Sequence, residues 1–318
     1  MRRALIVGID AYERAPLHGC VNDAKLIESV LRTNQDGSPN FECKTVTAPD
    51  QSVTRSSLMS DLRSLFENPA DVAVFHFSGH GTFNVLGGFL VTQDTARFDE
   101  GIRMQDVLDL ANRARANKTV AEIFIMLDCC HSGAFGNDPD AAAKAELAEG
   151  ISILTAATDS QIAMEREGSG VFTSLFVDAV SGGAADVLGR VTVAGTYAYI
   201  DQALGAWDQR PLFKSHVSRL LPLRQCEPAV PNDTLRLLPK FFEKADAERA
   251  LDPSYDPELE PFHEEHQEIY AHLQRLRNAK LLVPVGAPSL YHAAERSKAC
   301  ALTALGRYYW RLASEGRI

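Results

Sequence analysis

The sequence predicts an α/β protein with a mostly parallel sheet that is flanked by helices on both faces. Over the first two-thirds of the 318-residue chain, short apolar runs alternate with segments of helical periodicity. Alternation of this kind is typical of parallel sheets whose strands are connected by helices. Beyond residue 231 the helical patterns continue without strand alternation, which predicts a mainly α C-terminal module.

Each predicted strand is a short run of apolar or β-branched residues that ends near a glycine or a polar residue. In chain order these runs are residues 3–9, 43–46, 72–77, 88–91, 123–127, 151–156 and 212–217. The helices between them are predicted from apolar residues at helical spacing, and Thr54 or a neighbouring serine is expected to cap the second helix. They cover residues 23–31, 58–65, 104–114, 171–180 and 197–204.

A proline-containing segment at residues 228–231 is predicted to separate two domains. The first domain, residues 1–227, consists of a large part (1–136), a loop (137–150) and a small part (151–227). The loop is rich in Ala, Asp and Glu, and we expect it to be exposed and open to proteolysis.

The second domain, residues 232–318, has no role that its sequence reveals. Apolar and polar residues do not alternate there in the manner of strands, so we expect a mainly helical module. Its expected helices cover residues 241–250, 258–279 and 290–312.

Composition excludes several classes of partner. The formal net charge is -10, and polyanions repel an acidic chain, so we expect neither nucleic acid nor a membrane surface as a partner. The first residues have neither the long apolar run nor the cleavage site of a secretory signal, so we expect a cytoplasmic protein. The six cysteines are scattered without zinc-site spacing, which favours free thiols over disulfides.

Two glycine-rich segments carry reactive side chains directly after apolar strands. Residues 77–81 read Phe-Ser-Gly-His-Gly, and residues 127–133 read Leu-Asp-Cys-Cys-His-Ser-Gly. Because catalytic groups on parallel sheets gather at the carboxyl ends of strands, we expect His80 and Cys130 to meet at hydrogen-bond distance. A thiol needs a neighbouring base to become a nucleophile at neutral pH. The pattern therefore predicts Cys130 as nucleophile and His80 as its base.

Neighbouring residues complete this hypothesis. Glycines let the backbone approach a substrate carbonyl closely, and the amide N–H groups of Gly81 and Cys130 are expected to hold the developing oxyanion. His131 follows the nucleophile too directly for good Cys–His geometry. His76 lies inside the strand and is expected to be buried and structural.

Three ordered motifs resemble those of caspase-like cysteine proteases, closest to the metacaspase and orthocaspase family. His80 precedes Cys130 by 50 residues, which matches the caspase-type interval. In metacaspases Ser-Gly-His-Gly precedes Asp-x-Cys-His-Ser-Gly, and the nucleophile is the Cys before His. Residues 17–24, Leu-His-Gly-Cys-Val-Asn-Asp-Ala, resemble a third family element. The animal caspase signature differs, because Asp-Cys-Cys-His-Ser-Gly stands where Gln-Ala-Cys-x-Gly is expected. The resemblance spans about residues 3–217.

The resemblance implies a caspase-like fold and an endopeptidase whose S1 pocket contains Asp23, Ser78 and Asp128. Two carboxylates in a partly desolvated pocket favour a guanidinium between them. The expected substrates are therefore proteins and peptides with Arg, then Lys, at P1. Two simpler explanations stay open: Asp23 caps the first helix, or Asp128 merely ends a strand.

The chemistry itself requires no cofactor, but the resemblance makes calcium a candidate regulator, since metacaspases often need it. Hard cations prefer clusters of carboxylate oxygens. The residues near the family's calcium positions are Asp94, Asp99, Glu100 and Asp138.

The resemblance also implies latency, because caspase-like proteases commonly await cleavage of a loop, a partner or a ligand. The candidate processing residues are Lys144, in the 137–150 loop, and Arg166, before the next helix. An upstream protease or sensor is the expected activating partner, in a prokaryotic stress, cell-death or antiviral defence pathway.

Two rival hypotheses remain. A non-catalytic caspase-like interaction or signalling protein would lack Cys130 or His80, and both are present. A doubly wound nucleotide-binding protein would carry a GxGxxG or P-loop sequence after its first strand, and neither is present.

Overall fold

The computed structural model describes residues 1–84, 87–95, 101–129, 147–156, 165–166, 169–204, 211–217 and 221–318. The chain divides into two compact units. The first comprises Met1–Ala185 and Arg190–Cys226, and the second comprises Asp186–Gly189 and Glu227–Ile318. Among the described helices, none has the length and apolar character needed to cross a bilayer.

The strands of the first unit are, in chain order, β1 (Arg2–Ile9), β2 (Glu42–Ala48), β3 (Ala70–Ser78), β4 (Gly81–Asn84), β5 (Gly87–Leu90), β6 (Ile102–Arg103), β7 (Val120–Asp128), β8 (Ile151–Thr155), β9 (Glu165–Arg166), β10 (Ser169–Gly170), β11 (Arg190–Val191), β12 (Leu212–His216) and β13 (Arg224–Gln225). Its helices are α1 (Cys20–Arg32), α2 (Arg55–Glu67), α3 (Met104–Ala116), α4 (Val171–Asp178) and α5 (Val193–Ala203).

A six-stranded sheet forms the centre of this unit, in the order β12-β8-β7-β3-β1-β2. All neighbouring pairs are parallel except β12, which runs antiparallel to β8. One face packs against Leu62 of α2 and Val107 of α3, and the opposite face packs against Ile27 of α1 and Phe176 of α4. The predicted parallel sheet with helices on both faces is confirmed.

Local sequence explains where these elements begin. Thr54 caps α2 as expected: its side chain accepts a hydrogen bond from Ser57 N–H, and the Ser57 hydroxyl accepts one from Thr54 N–H. This reciprocal capping box satisfies two amides that a helix start leaves without partners. Gly8 is required in β1 because a methyl group on its Cα would lie 2.2 Å from the carbonyl oxygen of Cys20. The α1 start therefore lies directly against the sheet.

The second unit contains α6 (Asn232–Arg236), α7 (Leu238–Phe241), β14 (Glu248–Ala250), α8 (Glu264–Asn278), β15 (Leu282–Val285), α9 (Leu290–Glu295), β16 (Ala299–Leu302) and α10 (Ala304–Ser314). A single 3-10 turn, Pro253–Tyr255, precedes α8. Helical residues outnumber strand residues, in keeping with a mainly α module. Its core includes Leu235, Tyr270 and Leu312.

The second unit also contains three short strands, for which its sequence shows no alternating pattern. Strands β14, β16 and β15 form an antiparallel sheet in that order. The helix expected over 241–250 ends at Phe241, and the helix expected over 290–312 is interrupted by β16. Strands of three or four residues are too short to show a period of two, and the Ala-Cys-Ala-Leu run of β16 has the composition of a helix.

Candidate active site

Three neighbouring strands end together at one edge of the sheet. In the parallel register Gly8 lies opposite Ser78, and Ser78 lies opposite Asp128. The segments that follow β1, β3 and β7 are the three motifs that the sequence singled out. The carboxyl-terminal edge of the sheet therefore brings together the described residues of these motifs, which in the third are residues 127–129.

His80 lies two residues beyond the end of β3, where a base was predicted. Its Nε2 atom is 2.6 Å from the carbonyl oxygen of Ala15, in the segment after β1. A carbonyl oxygen only accepts hydrogen bonds, so in the neutral ring Nε2 carries the hydrogen and Nδ1 is the basic nitrogen. Nδ1 is thus the atom of His80 that can take a proton from a thiol.

The predicted nucleophile, Cys130, lies outside the described residues. Its neighbour Cys129 is described directly after β7, and its side chain is 1% exposed among the apolar residues of the core. Gly81, predicted to offer an oxyanion amide, begins β4 immediately after His80. The roles of Cys130, His80 and Gly81 stay predictions.

Asp23 and Ser78, predicted to belong to an S1 pocket, are in contact. Asp23 lies in the first turn of α1, and the two side chains are 2% and 1% exposed. The Ser78 hydroxyl donates to Asp23 Oδ2 at 3.0 Å, and the Gly170 amide donates to Asp23 Oδ1 at 3.0 Å. The alternative of Asp23 as cap of α1 is not what the contacts show, because Asp10 accepts the first amides of α1, those of Cys20 and Val21.

Asp128 faces the same point from the end of β7. Its side chain is 6% exposed and accepts a 2.7 Å hydrogen bond from the Thr173 hydroxyl. A methyl group on Gly170 Cα would lie 2.5 Å from Asp128 Oδ2 and 3.2 Å from Asp23 Oδ2. The two carboxylates therefore stand side by side against Gly170, where no larger residue fits. Asp128 ends its strand, as the simpler explanation holds, and also belongs to this cluster.

Helix N-termini favour the negative charge of this acidic pair, Asp23 and Asp128. Asp23 lies in the first turn of α1, and Gly170 and Thr173, which donate to the pair, are the N-cap and third residue of α4. Such positions stabilise anions by about 0.3–1 kcal/mol each. Burial raises the pKa of the adjacent Cys20 thiol, and the nearby carboxylates raise it further, so that thiol is neutral.

Sequence reasoning missed four residues that the structure brings to this edge: Tyr12, Ala15, Gly170 and Thr173. Tyr12 packs its ring 4.6 Å from that of His80. The Ala15 contact uses a backbone carbonyl, for which no residue type is a signal. Gly170 and Thr173 lie at the start of a predicted helix, and their contacts join parts of the chain that are distant in sequence.

Of the four calcium candidates, Asp94 alone lies among the described residues. Asp94 Oδ1 accepts hydrogen bonds from Arg55 N–H at 3.0 Å and from Thr92 Oγ1 at 2.7 Å. The other candidates, Asp99, Glu100 and Asp138, lie outside the described residues. Within the part of the chain that the structure describes, no group of three acidic, His or Cys residues is arranged to hold a metal. Calcium binding stays a prediction.

Of the processing candidates, Lys144 lies outside the described residues, and Arg166 lies in β9, where its backbone pairs with Ser169 of β10. The described end of the predicted 137–150 loop is anchored. Ala148 N–H donates to Asn112 Oδ1 at 3.0 Å, and Arg115 Nε donates to the Glu149 carbonyl at 2.5 Å. The rest of the predicted loop, residues 137–146, lies outside the described residues, so its exposure stays a prediction.

Comparison with known proteins agrees with this arrangement. Residues 1–221 match the model of the caspase domain family. Metacaspase-8 of Arabidopsis thaliana is 29% identical over 146 residues, which cover 42% of this chain and 37% of that protein. Metacaspase-2 of Trypanosoma brucei brucei is 29% identical over 158 residues, covering 43% of each. The chain thus matches about two-fifths of the length of these relatives.

Solved structures show the same fold. Caspase-1 from Spodoptera frugiperda aligns with a TM-score of 0.52 at 13% identity, covering 70% of this chain and 92% of that chain. A protein from Geobacter sulfurreducens aligns with a TM-score of 0.52 at 16% identity, covering 71% of this chain and all of that one. The family match over residues 1–221, with metacaspases among the relatives, establishes that this chain belongs to the caspase domain family.

Proposed function

We propose that this protein is a cysteine endopeptidase that cleaves proteins after Arg or Lys. The observation that carries the proposal is the convergence of Asp23, Ser78 and Asp128 at the strand edge from which His80 and Cys130 follow. Membership of the caspase domain family supports the chemistry. The acidic pair supports the choice of a basic P1 residue.

In the proposed reaction, His80 Nδ1 takes the thiol proton of Cys130, and the sulfur attacks the carbonyl carbon of the P1 residue. The resulting oxyanion accepts hydrogen bonds from the amides of Gly81 and Cys130. His80 then gives its proton to the leaving amine, and the C–N bond breaks to leave a thioester. Water, deprotonated by His80, hydrolyses the thioester and restores the thiol.

Substrate selection is assigned to the acidic pair. A P1 guanidinium can donate to Asp23 and Asp128 at once, in a geometry that Arg offers and Lys does not. A P1 carboxylate is repelled by the same pair. The proposed order of preference is therefore Arg, then Lys, with Asp excluded.

The direct test uses fluorogenic tripeptides that differ only at P1, with Cys130→Ala and the matched variant Cys129→Ala. The neighbouring cysteine is buried in the core, so we expect Cys129→Ala to keep activity and Cys130→Ala to lose it by more than about 1,000-fold. Full activity of Cys130→Ala, or faster cleavage after Asp than after Arg, would overturn the proposal.

Regulation is proposed at a coarser level: the protein is latent and becomes active after loop cleavage, through a partner protease or sensor, or on binding calcium, in a stress, cell-death or defence pathway. Lys144 and Arg166 are the proposed cleavage sites. To test for cleavage, the protein is incubated with and without calcium and any new N-termini are sequenced. The variants Lys144→Ala and Arg166→Ala should each lose the new N-terminus that belongs to the substituted site. An intact chain with full activity would contradict latency.

A further inference from the structure

Tyr12 follows β1 and contacts both the main chain and the ring of His80. Its hydroxyl accepts a 3.0 Å hydrogen bond from His80 N–H and donates one, also 3.0 Å, to the carbonyl of Val91. The two rings have centroids 4.6 Å apart and are inclined at 53°. Tyr12 is 7% exposed, so water does not compete effectively for these bonds.

The main chain of His80 is held from both sides. While its N–H group donates to Tyr12, its carbonyl accepts a 3.0 Å hydrogen bond from Val91 N–H. Val91 is in turn the residue to which the Tyr12 hydroxyl donates. Three chain segments thus form a closed set of hydrogen bonds with the Tyr12 oxygen at its centre, and that oxygen uses both its donor and an acceptor site.

The segment that supplies Tyr12 also holds the His80 ring. Ala15, three residues later, accepts from Nε2 of His80. This segment is closed on itself, because Tyr12 N–H and Leu17 N–H both donate to the carbonyl of Asp10, at 3.0 and 2.9 Å. A shift of Tyr12 would therefore move both the backbone and the ring contacts of His80.

We infer that Tyr12 is a positioning residue that fixes the imidazole of His80 for proton transfer with the Cys130 thiol. The inference rests on the proposed dyad and assigns a role to a residue that touches neither substrate nor thiol in it. Proton transfer depends steeply on the distance between base and nucleophile, and a displacement of about 1 Å can cost about 100-fold in rate. Burial raises the pKa of Tyr12 well above its ordinary value, so the hydroxyl keeps its proton.

Gly79 provides an independent way to move the same hydroxyl. A methyl group on Gly79 Cα would lie 2.5 Å from the Tyr12 oxygen and 3.0 Å from Cζ of Phe77. Gly79→Ala should therefore displace the Tyr12 hydroxyl. In a Tyr12→Phe background the closest of these contacts is absent, so the same substitution should have less effect. The two substitutions are expected to be non-additive.

The experiment measures the rate at which iodoacetamide alkylates Cys130 between pH 5 and 9, by mass spectrometry of the peptide that carries it. A thiol without its base is only about 3% ionised at pH 7, so His80→Ala should slow alkylation about 30-fold at that pH. We expect Tyr12→Phe to slow it about 5- to 10-fold, and to lower kcat for a P1-Arg peptide by a similar factor with KM unchanged. A merely structural role would not alter the pH profile in this way.

The matched control is Tyr255→Phe, which removes a hydroxyl from another buried tyrosine, one that accepts a hydrogen bond from Arg249 Nη2 at 3.1 Å in the second unit. It should leave the alkylation profile unchanged. If Tyr12→Phe does not fold, Gly79→Ala supplies the same test, with slowed alkylation expected.

The outcomes separate the two proposals. Slow alkylation in His80→Ala together with a wild-type profile in Tyr12→Phe and Gly79→Ala would overturn the role of Tyr12 and leave the dyad intact. A wild-type profile in His80→Ala would overturn the dyad and the positioning role together. Slow alkylation in His80→Ala and in Tyr12→Phe, with Tyr255→Phe unaffected, supports both.

Discussion

Strand β3 and the turn after it carry two histidines in opposite surroundings. His76, in the strand interior, is 0% exposed, and neither ring nitrogen has a hydrogen-bond partner among the described residues. Its neighbours in register are Ile6 and Met126. His80, beyond the strand end, is bonded through Nε2 to Ala15 and through its amide to Tyr12. The same side chain is isolated in one region and held by polar partners in the other.

The difference shows how a parallel sheet separates stability from chemistry. The strand interior excludes water and polar partners, so burial lowers the pKa of His76 to about 3 and keeps its ring neutral. At the strand tips, chain segments diverge and backbone groups become available as partners. The neighbouring strand β7 repeats the contrast, with Met126 fully buried and Asp128 bonded to Thr173.

The largest expected effect contrasts the two histidines directly. His80→Ala removes the proposed base and should lower kcat/KM for a P1-Arg peptide by about 1,000-fold, since general base catalysis contributes about 100- to 10,000-fold. His76→Leu replaces an isolated polar ring with an apolar side chain and should keep activity within about 3-fold. Steady-state kinetics on both variants provide the measurement. Comparable losses of kcat/KM in the two variants would contradict the different roles of the histidine in the strand interior and the one beyond the strand end.

A smaller effect is expected at the tip of β7. Asp128→Asn should lower kcat/KM for a P1-Arg peptide by about 100-fold, because loss of one partner of a buried charge pair costs about 2–5 kcal/mol. The matched control is Asp61→Asn on α2, which should cleave normally, because this carboxylate pairs with Lys44 of β2, away from this edge. A P1-Lys peptide assayed in parallel gives the ratio of Arg to Lys cleavage, which measures the Arg preference. Unchanged Arg preference in Asp128→Asn would remove this carboxylate from the S1 pocket.

The sequence predicted the sheet, and the edge where its glycine-rich motifs begin, because both depend on local signals. Runs such as residues 72–77 and 123–127 are strongly apolar. Asp128 directly follows the second run, and His80 lies three residues beyond the first. Because β3 and β7 pair in parallel, their carboxyl ends lie side by side. The expected burial of His76 is confirmed for the same reason.

The residues that contact the ends of these strands cannot be predicted from the neighbouring sequence. Ala15 acts through a backbone carbonyl, and Gly170 meets Asp23 across 147 residues of chain. Strands such as β14 and β16 depend on their pairing with each other more than on their own composition. Long-range contacts of this kind leave no periodic pattern in the sequence.

The stability of the protein at acid pH tests whether the buried ring of His76 stays neutral in the folded state. The unfolded His76 has a pKa near 6.5 and the folded one near 3, so the unfolded state binds the proton first as pH falls. The full stability is present above pH 6.5 and is lost progressively between 6.5 and 3, by about 2 kcal/mol at pH 5. Urea unfolding at pH 7, 6 and 5 measures this loss.

The variant His76→Leu separates the contribution of His76 from that of the carboxylates, because the wild type and the variant have the same carboxylates. The variant should lose about 2 kcal/mol less than the wild type between pH 7 and pH 5. Parallel stability curves for the two proteins would mean that the folded state accommodates a charged ring at this position, contrary to its isolation from polar partners.

The smallest expected effect concerns the donor to Asp128. Thr173→Val keeps the shape of the side chain but removes the hydroxyl that donates to Oδ2 at 2.7 Å. A carboxylate that loses such a bond has a higher pKa, so the acid limb of the kcat/KM profile for a P1-Arg peptide should move to higher pH. At pH 7 we expect a loss of about 3- to 10-fold, since a hydrogen bond to a charged group contributes about 1.5–3 kcal/mol and water replaces part of it.

Thr196→Val is the matched control, because that buried hydroxyl donates only to the carbonyl of Thr192, one turn earlier at the start of α5. It should leave the pH profile in place. If Thr173→Val and Thr196→Val give the same profile as the wild type, the Thr173 hydroxyl does not tune the acidic pair. A shift in Thr173→Val alone, with cleavage after Lys changed less than cleavage after Arg, ties that bond to recognition of the guanidinium, because only the bidentate contact requires both carboxylates to be ionised and fixed.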